Sequence, residues 1–254
     1  MSKIVVIDPG HGPGNANGGR NGYKEYEGMW KLSNFLKTAL EHCGMSVALT
    51  RAENADPSLT ARGKMGAGAD LFISEHSNAA NGAARGVEVY YSIRLPGDRN
   101  FAAEIAKETA ALMYNPNRGA KTRESTVTTG WDYYTIMMEA QKAGAKHVLL
   151  AESGFHDNFY DEAFLLSDAN LKAIAETQAR VICKYLGVSY KVEGSIATPS
   201  DVGNPTTELP RETVLAAIGV LVSHGVINSP DYWAANYGKL QYLDRLIVNM
   251  AGSL

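Results

Sequence analysis

KIVVIDPGHGPGNANGG, residues 3–19, runs from an apolar strand straight into a glycine-rich loop that carries one histidine, His11. So apolar a strand reads as buried, and the segments that follow keep to one pattern. Apolar positions from Tyr26 to Cys43 recur with helical spacing and stop at Gly44, SVALT (46–50) is a strand, and residues 58–68 make a short helix. LFIS (71–74) and VEVYY (87–91) are strands, Phe101 to Met113 is helical, HVLLA (147–151) is a strand, and Ala169 to Tyr185 is a long helix ended by Gly187. Strands alternating with helices predict an α/β domain, a mostly parallel sheet flanked by helices.

The composition changes after Val188. VEGSIATPSDVGNPTTELP (192–210) is rich in Gly, Ser, Thr and Pro and reads as a linker. Helical signals alone follow, Arg211 to His224 and Asp231 to Met250, with Ser229 as N-cap and Pro230 at the first helical position. The expected organisation is a large domain over 1–188, a linker over 189–209 and a small all-helical domain over 210–254. So short a unit has little core of its own, so it is expected to dock on the large domain, a second copy or a partner.

Among 254 residues, 45% are apolar and 20% charged, the balance of a soluble globular protein. A formal net charge of -3 argues against nucleic acid as a partner. No apolar run approaches the ~18 residues of a membrane span. The N-terminus lacks the basic-then-apolar pattern of a signal peptide, which predicts synthesis in the cytoplasm and release by other means. Cys43 and Cys183 fall among apolar helical positions and read as buried thiols.

The opening loop fits neither G-x-x-x-x-G-K-[ST] nor G-x-G-x-x-G, which disfavours a phosphate cradle. A metal needs more ligands, and strand ends supply them in an α/β fold. His11 follows IVVID, His76 follows LFISE, and Glu152 follows HVLLA, so all three converge on one edge of a parallel sheet. A catalytic zinc takes three protein ligands and leaves one position open. Between Glu25 and Glu27, helical phase chooses. Met29, Leu32, Leu36, Leu40 and Cys43 form a stripe at about 100° per residue, Glu25 is in phase with it, and Glu27 lies roughly 200° round. An inward carboxylate must be paired, protonated or on a metal, which makes Glu25 the third ligand and Glu27 a solvated residue. Gly10, Gly12 and Gly14 let the loop turn sharply and approach the site.

These residues, taken in order, resemble a known family. DPGHG (8–12), a glutamate at the start of the first helix in KEYEG, G-x-x-V-x-L-T-R (44–51), LFISEHSNA (71–79), RGVEVYY (85–91) and LLAESGF (149–155) are similar to the zinc-dependent N-acetylmuramoyl-L-alanine amidases of the amidase-3 type. The resemblance spans roughly residues 3 to 188 and implies a twisted mixed sheet flanked by helices. It implies one zinc ion on His11, Glu25 and His76, with Glu152 as the catalytic glutamate. The implied reaction cuts the amide between N-acetylmuramic acid and L-alanine in peptidoglycan.

The family often has an isoleucine or alanine where this chain has Glu75, expected on the wall beside His76 as a carboxylate tuning the metal or as half of a salt bridge. The stretch from Tyr114 to Gly144 is expected to be a substrate-facing loop, in which Arg118 resembles the family pattern. Asn78, Arg118, Trp131 and His156 are the candidate substrate contacts. Tyr133 and Tyr134 are further stacking surfaces, with core packing the better reading for at least one aromatic. The missing signal segment and the C-terminal module suggest a phage or prophage endolysin, set free when a holin opens the membrane. Its helical domain then targets the wall or mediates self-association. Another zinc peptidase or deacylase is the second reading, although H-E-x-x-H is absent. A wall-binding module without activity is the third, disfavoured because all four polar residues are present.

Overall fold

The computed structural model describes residues 2–192 and Ile218. The linker beyond residue 192, and the helical domain expected over 210–254 apart from Ile218, lie outside the described residues.

Among the described residues one sheet contains six strands: β1 (Ile4–Pro9), β2 (Ser46–Leu49), β3 (Leu71–Asn78), β4 (Val87–Tyr91), β5 (Asn117–Lys121) and β6 (Val148–Phe155). Their order is β2-β1-β3-β6-β4-β5. The first four run parallel, while β4 pairs antiparallel with β6 and parallel with β5. Helices α1 (Glu25–His42), α2 (Leu59–Lys64), α3 (Arg99–Leu112), α4 (Thr135–Lys142), α5 (Phe159–Leu165) and α6 (Asp168–Leu186) connect and cover them. The α/β sheet flanked by helices is therefore the one expected, and none of these helices is long and apolar enough to cross a membrane.

Alternation along the strands divides the core into two unequal layers. On one face Val5, Ile7, Leu71, Ile73 and Leu149 meet Met29, Leu32 and Leu36 of α1, Phe101 and Ile105 of α3, and Ile174 and Ile182 of α6. On the other, Val6, Phe72, Val148 and Leu150 meet only Ile136, Met137 and Ala140 of α4 and their neighbours. The short α4 covers the N-terminal halves of β3 and β6. Farther along that face the side chains turn polar, at Ser74, His76 and Glu152, and a cleft opens.

Three elements differ from the sequence reading. The stretch from Tyr114 to Gly144 contains β5 and α4 rather than being a loop throughout, and α5 follows β6 directly. Asn158 starts α5 by accepting the amide hydrogens of Tyr160 and Asp161. Both β3 and β6 outrun their apolar cores, so His76 and Glu152 sit inside strands, directly opposite each other, rather than just past the ends. The long helix begins and ends as expected: Ser167 caps the N-terminus of α6, and Gly187, at φ 69°, closes its C-terminus in the left-handed conformation. Cys43 and Cys183 are buried free thiols.

Candidate metal centre

The centre is built on a buried ion pair. Asp8, on the polar side of β1, is fully buried and accepts from Arg62 Nε at 2.7 Å, Arg62 Nη2 at 2.9 Å, Ser74 Oγ at 2.6 Å, and Thr50 Oγ1. Arg62 Nη2 and Arg51 Nε both also donate to the Pro9 carbonyl, at 2.8 and 3.1 Å. These two arginines fix the backbone just before His11. His11 itself has φ 58°, a left-handed conformation uncommon for a residue with a Cβ. The sharp turn is thus made by the histidine. Gly10 serves a different need, since a Cβ there would lie 2.6 Å from both the Glu75 carbonyl oxygen and the His76 ring. Gly14, at φ 86°, supplies a second turn further along the loop.

Three side chains converge in front of that turn. Potential ligand atoms of His11, Glu25 and His76 all lie within 4.8 Å of one another. Glu25 opens α1, is 1% exposed, and contacts His11 Nε2 through Oε2 at 3.1 Å and His76 Nδ1 through Oε1 at 3.0 Å. The Ser77 amide donates to Glu25 Oε1 at 3.0 Å, and Asn17 Nδ2 donates to Glu25 Oε2 at 3.2 Å while lying 3.2 Å from His11 Nε2. Burial alone pushes the Glu25 carboxyl up, but hydrogen bonds and charge from the two imidazoles outweigh it and hold the group well below its usual range. A buried carboxylate between two partly exposed imidazoles, with the His156 ring a further 3.8 Å from it, is the donor set that a borderline-soft divalent ion prefers. The residues therefore fit zinc.

Glu152 completes the cleft. It is buried, and its Oε2 has no hydrogen-bond partner. Burial pushes its carboxyl well above the usual carboxylate range, and the charges of Glu25, Glu88 and Glu75 add to that. A buried oxygen left without a partner, facing a cleft of about 540 Å3 lined also by His11, Glu25, His76 and Tyr134, is poised to meet a ligand atom.

The other expected residues sort into two groups. Asn78 and His156 line the cleft. Asn78 Nδ2 donates to Glu88 at 3.1 Å. His156 Nδ1 lies 2.9 Å from the Ser77 carbonyl, an acceptor only, so that nitrogen carries the proton. The same nitrogen is 3.0 Å from Ser77 Oγ, so His156 props the strand segment whose amide holds Glu25. Arg118 and Trp131 lie outside the cleft lining: Arg118 pairs with Glu88, and Trp131 is flanked by Arg94 and Lys142. Of the aromatic run, Tyr134 lines the cleft and packs on Tyr90, and Tyr133 lies against Arg123.

Glu75 departs from both expected roles. Strand alternation turns it away from His76, under α6, where it is fully buried and accepts from Gln178 Nε2 at 3.2 Å. It neither supports a metal ligand nor pairs with a cation, and burial pushes its carboxyl up to about 8. Reading alternation strictly along LFISEHSN would have separated Glu75 from His76. Asn17, Ser77 and the Asp8–Arg62 pair were missed as well. Only Asp8 carried a signal, a carboxylate at the end of an apolar strand.

The chain is similar to known proteins over most of the described residues. A family profile described as N-acetylmuramoyl-L-alanine amidase matches residues 5–184. The N-acetylmuramoyl-L-alanine amidase CwlM of Bacillus licheniformis is 28% identical over 199 residues, 74% of this chain and 73% of that protein. The endolysin of Bacillus phage SPP1 is 28% identical over 212 residues, 79% of this chain and 72% of that protein. Among solved structures, the catalytic domain of CwlV, an N-acetylmuramoyl-L-alanine amidase from Bacillus (Paenibacillus) polymyxa, superposes with a TM-score of 0.62 at 25% identity, covering 74% of this chain and 99% of that one.

Proposed function

The chain belongs to the N-acetylmuramoyl-L-alanine amidase family, and from that premise we propose that it is a zinc-dependent peptidoglycan amidase working as a phage or prophage endolysin. In this reading His11, Glu25 and His76 hold one zinc ion and Glu152 moves the proton. The observation that carries it is the convergence of the three donors within 4.8 Å, in the same cleft as the unpartnered Glu152 Oε2.

When bound, the ion supplies Lewis acidity toward a water molecule and the scissile carbonyl, and its charge offsets the carboxylates that hold Glu152 up. Glu152, in the cleft with Oε2 unpartnered, takes a proton from the attacking water and delivers it to the leaving nitrogen of L-alanine. The C–N bond between the lactyl carbonyl and L-alanine breaks, leaving a carboxyl on the glycan and a free amine on the stem peptide. Asn17 and the Ser77 amide hold Glu25 in place, and the Asp8–Arg62 pair holds the turn that presents His11. Tyr134 and Ile136 form an apolar wall across the cleft.

The likeness to a phage endolysin over 79% of the chain supports the endolysin role, with synthesis in the cytoplasm and holin-dependent release. The domain over 210–254 then serves as the wall-targeting or self-associating module, joined by the 189–209 linker. Neither nucleic acid nor membrane insertion is part of this reading.

The test is a digest of purified peptidoglycan with and without a chelator, read by mass spectrometry. Stem peptides with a free L-alanine amine, no new reducing sugar ends, and loss of product on chelation are the expected result. Cleavage that survives full removal of metal would refute the zinc reading.

A further inference from the structure

The cleft and the stretch of sheet beside it differ in charge. Around His11 the lining includes Asn15, Asn17, Asp56 and Ser58, and the one cation there, Arg62, is taken up by Asp8. Beyond Glu152, outside the cleft lining, the sheet continues into β4 and β5, where cations outnumber carboxylates around Glu88. Glu88 lies directly opposite Glu152 on β4, and Lys121 opposite Tyr90 on β5. Directly opposed residues share a face, so Glu152, Glu88, Tyr90 and Lys121 stand on the same side as the cleft. Arg118, also on β5, meets Glu88 on that side and lays its guanidinium over Phe155. Arg118 and Lys121 each use one donor on Glu88 Oε2, at 2.5 Å, and both remain about a third exposed, while Glu88 is nearly fully buried. Two cations share one buried carboxylate, so the group carries a net positive charge with donors still facing solvent. Arg123, over the Tyr133 ring beside Tyr134, adds another positive charge nearby.

The substrate has a matching asymmetry. On one side of the scissile amide is an uncharged sugar; on the other is a stem whose second residue is a glutamate joined through its γ-carboxyl. The α-carboxyl of that residue is either a free carboxylate or a carboxamide. Two strand spacings and a two-residue offset along the strands put the Lys121 backbone roughly 12 Å from that of Glu152. From the leaving nitrogen to that α-carboxyl is about 7 Å of extended chain, and a hydrogen bond from Glu152 to the nitrogen adds about 3 Å. The lengths are comparable.

We infer that Lys121 and Arg118 dock the α-carboxylate of the second stem residue, so that the enzyme selects stems with a free carboxylate there over stems with a carboxamide. The sugar then lies toward Asn15 and Ser58, where Asp56 repels a misplaced carboxylate. This rests on the amidase reading above and adds the direction in which the stem runs.

The experiment uses the full chain with zinc supplied and two disaccharide-tetrapeptides that differ only in carboxylate against carboxamide at that position. An ion pair to a partly exposed cation is worth on the order of 1 kcal/mol, so kcat/KM should favour the carboxylate form about fivefold, carried by KM. Lys121→Gln, which leaves Arg118 on Glu88, should bring the ratio close to one, and Lys121→Arg should restore it. Adding salt should shrink the ratio in the parent enzyme. Equal kcat/KM for the two substrates in the parent enzyme overturns the inference. So does a Lys121→Gln variant that loses both substrates in proportion, the sign of damage transmitted through Glu88. Failure of the parent enzyme to release peptide from either substrate would bring down the amidase reading itself.

Discussion

Replacing Asp8 with asparagine tests whether the ion pair beneath the site is structural. Asp8 is fully buried and Arg62 is 2% exposed. The carboxylate accepts four hydrogen bonds, two of them from the guanidinium. Asparagine keeps the shape but offers one oxygen, and its amino group would face a donor. Arg62 is left as a buried charge without a counter-ion, a loss of about 3–5 kcal/mol. For a unit of this size each kcal/mol moves Tm by roughly 2–4 °C, so a fall of about 10 °C is expected. Urea unfolding followed by circular dichroism should show a lower midpoint with an unchanged slope. The double change Asp8→Leu with Arg62→Met removes both charges and should recover most of the stability. It should not recover activity, because Arg62 no longer holds the Pro9 carbonyl and His11 loses its support. A cost under about 1 kcal/mol for Asp8→Asn, or a double variant as unstable as the single one, would refute the argument.

Glu152→Gln should lower kcat by roughly 10²–10⁴-fold while zinc content, measured by elemental analysis, stays at one per chain; near-normal turnover would remove Glu152 from the reaction. Gly10→Ala should abolish zinc retention, because its Cβ would sit 2.6 Å from the His76 ring, and full occupancy after dialysis would contradict that. Glu75 gives a pH signature. Its carboxyl is raised from 4.5 to about 8, so the stability it allows is fully present below about pH 4.5 and is lost as pH rises through about 8. Glu75→Gln should therefore gain Tm over the parent chain progressively from about pH 4.5 to about 8 and level off above that; a gain independent of pH would mean that Glu75 does not titrate there.

Much of this was legible in the chain. Buried strands announce themselves as apolar runs, and α1 and α6 as stripes ended by glycine. Phase alone placed Glu25 inward, and it is 1% exposed. What escaped notice has physical reasons. The sequence of β5, NRGAK, has no β-branched or aromatic residue, because an edge strand one neighbour wide needs little side-chain packing. The helix α4 hides behind the aromatic run before it, and α5 is only seven residues long. Strands β3 and β6 seemed to end early because their last residues on one face are polar, and that face is the cleft. Apolar periodicity fails just where a sheet stops serving the core and begins to serve a ligand. The residues that hold His11 and Glu25 in place, Asn17, Ser77 and Arg62, come from three separate segments, and no local pattern links them.

The basic edge of the sheet has a second consequence. Strand β5 ends the sheet on one side, and a sheet edge carries unpaired backbone groups that another chain can use to extend it. A lysine and an arginine on so short a strand make that edge a poor template for a second copy, since two such edges would bring like charges together. Variants that neutralise Arg118 and Lys121 would therefore alter colloidal behaviour as well as substrate choice, with self-association through β5 increasing with protein concentration. The charges that sort stem peptides would at the same time keep copies of the enzyme apart.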